Sequence, residues 1–224
     1  SCCNCGKQEV VAEREYDMYN SVVYELNIRQ ATVEGTFAAA EKYLPELKEM
    51  GVDIVWLMPI SPIGIDGRKG TLGSYYSIID YKAINPEFGT MEDFDKFLAT
   101  AHDLGLKVII DFVPNHVSRD YGKINPTPGH PVLGEGDDKN IHWSENNDFF
   151  YYPGQELTLP NESPKGIEPY KEMPAMATGN NCYSPNPGVN DWYETIKINY
   201  CDTHTGTWDK MLDIIMYWSA KGVD

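Results

Sequence analysis

One phrase, used three times, most constrains what this chain can fold into: an amphipathic helical stretch, a glycine, then an apolar run or the start of one. Apolar residues fall three or four apart at Phe37, Ala40, Leu44, Leu47 and Met50, and again at Phe94, Phe97, Ala101 and Leu104. They do so a third time at Trp208, Met211, Leu212, Ile215 and Trp218, the period of one helix face. Gly51, Gly105 and Gly222 follow these stretches, each suited to the left-handed turn that closes a helix C-terminus. Behind the first two glycines come Ile54-Val55-Trp56-Leu57 and Val108-Ile109-Ile110-Asp111-Phe112, and Val22-Val23-Tyr24-Glu25-Leu26 precedes the first helix. Short runs without strict alternation suit parallel strands covered on both faces. Strands alternating with helices predict a parallel sheet, either closed into a (β/α)8 barrel or open and doubly wound. At Lys221-Gly222-Val223-Asp224 the phrase repeats the opening of Gly51-Val52-Asp53. The chain therefore reads as the first half of a βα-repeat enzyme, ending just before its fourth strand.

The interval from Gly105 to Gly222 is more than twice that from Gly51 to Gly105. The excess falls in residues 117–200, rich in Gly, Pro and Asn and poor in helical period, which predicts an insertion on the loop after the third strand. The connection from Pro59 to Thr90 is also long. Both leave the C-terminal ends of strands, where barrels and open α/β sheets build their sites. A net charge of −16 argues against a nucleic-acid surface, which needs a basic stripe. No apolar stretch is long enough to span a membrane.

The cysteines divide unevenly. Cys2, Cys3 and Cys5 crowd the start, ahead of a polar stretch that reads as a tether over residues 1–18. Three readings stand open there. The edge Ser1-Cys2 resembles the cut end of a bacterial lipoprotein signal, which would lipidate Cys2 or Cys3 and place the protein outside the cytoplasm. The stretch is otherwise a plain tail with incidental cysteines, or Cys2-x-x-Cys5 is a weak metal pair. Cys182 and Cys201 form a disulfide in an oxidising compartment or remain two buried thiols. Gly64, Gly67, Gly70 and Gly73 recur every third residue, but no helix opens directly behind them as a phosphate-cradling loop needs. They read as a flexible loop at the mouth of the site. The aromatics Trp143, Phe149, Phe150, Tyr151, Tyr152, Tyr170 and Tyr183 serve either as sugar platforms or as the core of a small irregular domain. His102 reads as a surface residue, and His130, His142 and His204 lack zinc-like spacing.

The third strand runs into Asp111-Phe112-Val113-Pro114-Asn115-His116. Alternation sends Asp111, Val113 and Asn115 to one side until the proline disturbs the count. An inward Asp can orient a cation, an Asn carbonyl can ligate a hard ion such as calcium, and an imidazole can donate to a substrate hydroxyl. The same residues also suit a plain strand-ending turn with a surface His.

Asp111-x-x-x-Asn115-His116 resembles the first signature motif of the α-amylase family of glycoside hydrolases (family 13). Gly73-Ser74-Tyr75-Tyr76 through Tyr81, with Asn85-Pro86-Glu87-Phe88-Gly89-Thr90, is similar to the family's loop after the second strand. Trp56-Leu57-Met58-Pro59-Ile60 with Pro62 is similar to that strand itself, and Asp191-Trp192-Tyr193 through Asn199-Tyr200 resembles the return of the insertion. The resemblance runs from about Tyr19 to Asp224. It implies the N-terminal half of a (β/α)8 barrel: three βα units over residues 19–116, an insertion domain over 117–200, and the third barrel helix with the start of a strand over 201–224.

Carried over by position, the resemblance makes Tyr76, Asp111 and His116 substrate-site residues. Tyr76 would stack on a sugar ring, His116 would hydrogen-bond it, and Asp111 would hold a catalytic arginine. Asn115 would be a ligand of a structural calcium found in many members; the unusual flanks of Asn199 leave it unassigned. The family's nucleophile, acid and third carboxylate would all fall after Asp224. A retaining mechanism needs two carboxyls about 5 Å apart, so the segment by itself is expected to be inert. The function implied is part of a retaining enzyme acting on α-glucosidic bonds of starch-like glucans or maltooligosaccharides. The alternative is an amylase-like barrel that binds carbohydrate or acts as a scaffold without catalysis.

Overall fold

The computed structural model describes residues 17–123, 132–161, 163, 165–166, 168–200 and 206–224. The expectations for Cys2, Cys3, Cys5, Cys201, His130 and His204 lie outside these residues.

The strands β1 (Val23–Leu26), β2 (Ile54–Leu57) and β3 (Lys107–Ile110) form a parallel sheet in sequence order. Tyr24, Val55 and Val108 stand abreast, followed by Leu26, Leu57 and Ile110. Val55, Leu57 and Val108 are fully buried beneath the helices. Their neighbours Glu25, Trp56 and Ile109 point to the other face, as alternation requires.

The helix expected between β1 and β2 is broken. After the short α1 (Ile28–Ala31) come α2 (Phe37–Glu41) and α3 (Leu44–Glu49). Pro45 sits in the first turn of α3, where its missing N–H does no harm, whereas inside one continuous helix it would cost a backbone bond. Phe37, Ala40, Leu44 and Leu47 are buried as expected, but Met50 is 73% exposed. The helix α4 (Met91–Asp103) starts on a reciprocal cap: Thr90 Oγ1 accepts from the Asp93 amide, and the Asp93 carboxylate accepts from the Thr90 amide. Phe37 meets Phe88, Phe94 and Phe97 edge to face, with ring centroids 5.5–6.3 Å apart, a favoured aromatic geometry.

The last helix, α5 (Gly206–Lys221), buries Thr207, Met211, Ile214 and Trp218. Trp218 packs on Phe94 and donates its indole N–H to the Tyr81 carbonyl at 2.8 Å. Trp208, Leu212 and Ile215, expected on the same stripe, lie on a second apolar face that is exposed. None of the helices among the described residues is long and apolar enough to cross a membrane.

All three helix-ending glycines have positive φ, from 75° to 104°. Each closes the same way: the amide of the residue after the glycine bonds five residues back, Val52 to Leu47, Leu106 to Ala101 and Val223 to Trp218. The repeated Gly-Val-Asp also repeats in space. Asp53 donates its amide to the Val22 carbonyl and accepts the Val22 amide on its carboxylate; Asp224 does both with Val108. The side chain of His102, expected to be a plain surface group, bonds this same Asp224 carboxylate at 2.8 Å.

Between β3 and α5 the chain builds two antiparallel ladders. His116–Ser118 (β4) pairs with Thr195–Lys197 (β7), and Tyr151–Tyr152 (β5) pairs with Ala175–Met176 (β6). Arg119, almost fully buried, donates to Glu172 (2.6 Å), Thr178 (2.9 Å) and the Tyr193 carbonyl (2.5 Å). The aromatic cluster splits between two roles: Phe149 and Tyr151 are core, while Trp143 and Tyr183 are half exposed. The glycine loop is stitched to this segment. Asp120 accepts the Ile65 amide, and Lys69 donates to the carbonyls of Val189 and Asp191.

Candidate functional site

Asp111 stands one step past β3, still in register: its amide donates to the Leu57 carbonyl at 3.0 Å. Alternation puts its side chain on the face that carries Trp56 and Glu25. The Trp56 indole N–H donates to Asp111 Oδ1 at 2.7 Å, and the Tyr76 hydroxyl donates to Asp111 Oδ2 at 2.9 Å. Both carboxylate oxygens are thus engaged, by residues from the strand beside β3 and from the loop that follows that strand. Tyr76 is placed by a turn in which the Ser77 amide bonds the Ser74 carbonyl, while Gly64 and Ile79 bond across the loop to Ser77 and Pro62. Burial, then the hydrogen bond to Asp111, then the charges of Asp111 and Glu25 push the Tyr76 phenol up to about 12. The hydroxyl therefore stays a donor at neutral pH.

A second network follows the proline. Asn115 Nδ2 donates to the Gly179 carbonyl and to His116 Nδ1, both at 2.9 Å, and its Oδ1 accepts from Lys197 Nζ at 2.7 Å. Since His116 accepts at Nδ1, its proton sits on Nε2, which donates to the Tyr76 carbonyl at 3.1 Å. Burial and the nearby Lys197 charge lower the imidazole pKa, partly offset by the bond to Tyr76. The ring is 7% exposed and meets Trp192 edge to face at 4.4 Å.

The structure thus brings Tyr76, Asp111 and His116 together, with Tyr76 touching both others through different atoms. Asn115 turns the other way past Pro114. It is exposed, while Val113 is buried, so the shared face expected for Asp111, Val113 and Asn115 does not extend beyond the proline. The Asn199 side chain is engaged elsewhere, its amide nitrogen donating to the carbonyls of Ser144 and Asn147. Among the described residues no group of three or more His, Cys, Asp or Glu could hold a metal ion. Sequence reasoning did not place Trp56, Trp192 or Lys197 in the site, and no local signal marked the atoms they reach, which depend on strand register.

Residues 24–224 match the alpha-amylase catalytic domain family, and the chain belongs to it. It is 43% identical over 89 residues to an alpha-glucosidase of Pediococcus pentosaceus, covering 39% of this chain and 14% of that protein. It is 26% identical over 205 residues to the alpha-1,4-glucan:maltose-1-phosphate maltosyltransferase of Mycobacterium tuberculosis, covering 85% of this chain and 23% of that one. Among solved structures, an alpha-amylase from Lactobacillus plantarum superposes with a TM-score of 0.61 at 31% identity, over 92% of this chain and 36% of that one. A maltogenic alpha-amylase from Thermotoga neapolitana gives 0.61 at 29%, over 92% and 38%. The chain spans well under half the length of each of these proteins.

Proposed function

We propose that this chain is part of a retaining glycosidase acting on α-glucosidic bonds of starch-like glucans, and that it supplies one wall of the substrate site. The observation that carries the reading is the Asp111 carboxylate, held by Trp56 and Tyr76 at the C-terminal ends of the parallel strands. A carboxylate engaged on both oxygens is a poor nucleophile and a good fixed partner for a cation, which fits holding a catalytic arginine. Tyr76 offers its ring to the apolar C–H face of a sugar. In this reading the His116 Nε2–H, which donates to the Tyr76 carbonyl, would turn to a sugar hydroxyl when substrate binds. Nucleophile and acid would come from later strands of a closed (β/α)8 barrel, which makes the 224-residue segment inactive alone. Of the three readings of the tether, lipidation at Cys2 or Cys3 is the one that would place the enzyme outside the cytoplasm; mass spectrometry of the peptide carrying them tests it by the presence or absence of an acyl chain.

The test is a reducing-sugar assay of the full-length protein on maltooligosaccharides. Asp111→Asn is expected to lower kcat/KM by about 100-fold, the scale on which a misplaced catalytic group costs rate, with the fold retained. No turnover by wild type on any α-glucan would remove the catalytic reading and favour a carbohydrate-binding protein.

A further inference from the structure

Asn115 stands where the chain leaves the parallel sheet for β4, and its neighbours settle which way its amide points. The Gly179 carbonyl can only accept, so the atom facing it at 2.9 Å is Nδ2; the Lys197 ammonium can only donate, so the atom it meets at 2.7 Å is Oδ1. The resemblance drawn from the sequence gives that oxygen to calcium. Here it receives a cation that the chain itself supplies. Lys197 sits on β7 opposite His116, so its ammonium bridges the return strand of the segment to the residue just ahead of β4.

A calcium ion gathers six to eight oxygens at about 2.3–2.6 Å. An amide oxygen that an ammonium touches at 2.7 Å cannot join such a shell without bringing two positive charges to within a few ångströms of each other. Among the described residues no group of three or more His, Cys, Asp or Glu able to hold an ion stands by to offset that repulsion.

We propose that Lys197 is the built-in cation of this junction: its ammonium holds Asn115 where calcium would otherwise sit, and the segment is fastened to the end of β3 without that ion. The proposal concerns fastening and stands apart from the glycosidase reading, because its readouts are metal content and stability.

The experiment uses the full-length protein, purified without added calcium, with metal content measured by mass spectrometry and melting followed in EGTA and in millimolar calcium. The expected result is no stoichiometric calcium and the same Tm in both solutions. Lys197→Met, which keeps much of the apolar stem and drops the charge, is expected to lower Tm by several degrees, and Lys197→Arg to recover most of that loss. One retained calcium per chain with a calcium-dependent rise in Tm, both abolished by Asn115→Ser, would overturn the proposal. So would an unchanged Tm in Lys197→Met. Calcium stabilisation that survives Asn115→Ser places the ion elsewhere and leaves Lys197 in its role. Should Lys197→Met fail to fold, the wild-type metal content and the two wild-type melts, compared with those of Asn115→Ser, decide the question.

Discussion

Asp111 shows how a single carboxylate becomes a fixed element. Trp56 binds one oxygen and Tyr76 the other, so the direction of the carboxylate is set by the protein. The Tyr76 hydroxyl pKa, pushed up to about 12 from 10, makes this arrangement pH-dependent with a definite sign. The folded state holds the phenolic proton more tightly than the unfolded chain does. The contribution is therefore fully present below about pH 10 and is lost as pH rises through about 12. Ultraviolet titration of tyrosinate in the full-length protein, as the difference between wild type and Tyr76→Phe, is expected to show the missing phenol ionising near the upper value. A difference signal centred near pH 10 would mean that Tyr76 does not donate to Asp111.

At the scale of elements, the segment between β3 and α5 carries a buried ionic pair beside its two short ladders. Arg119 and Glu172 pair at 2.6 Å with side chains 0% and 5% exposed. Glu172 also accepts from Tyr170 and from the Met176 amide, both at 2.9 Å. Removing one charge of such a pair strands the other in a low-dielectric site, which costs about 3–5 kcal/mol. Glu172→Gln in the full-length protein is expected to lower Tm on the order of 10 °C, as read by calorimetry. A shift within the range of ordinary surface substitutions would show that the pair is not what fastens this segment. The helices tell a complementary story: a three-or-four spacing marks apolar positions without saying how many neighbours the helix will have. On α5 the buried stripe Met211–Ile214–Trp218 and the exposed stripe Trp208–Leu212–Ile215 both obey that spacing.

As a whole molecule, the described chain has a finished interior and an unfinished perimeter. Val23 and Tyr24 on β1, Ile109 on β3 and Phe112 just beyond it are all exposed. The outer face of α5 borders an apolar cleft of about 500 Å³ with Phe112, Pro114 and Tyr200. Unpaired strand edges and contiguous apolar surface drive association. The 224-residue chain expressed by itself is therefore expected to self-associate, checked by light scattering coupled to gel filtration. A monomer with one sharp, cooperative melt would contradict it.

Several features were legible in the sequence because few neighbouring residues set them. Helical and strand periods depend on local geometry, and the helix-closing glycines depend on one φ angle each. Asp111, Asn115 and His116 stood out by residue type at the end of a strand, where a plain turn fitted them as well and only the family resemblance favoured a site; the spacing of the glycines located the long segment after β3. Other features belonged to the tertiary structure alone. Trp56 meets Asp111 across 55 positions and Lys197 meets Asn115 across 82; each contact exists only once two strands have taken a particular register. A hydrogen bond needs its atoms within a few tenths of an ångström, and no local pattern carries that precision across such a separation. The sequence by itself therefore determined which residues could do chemistry, and the packing of strand on strand decided which atoms they reach.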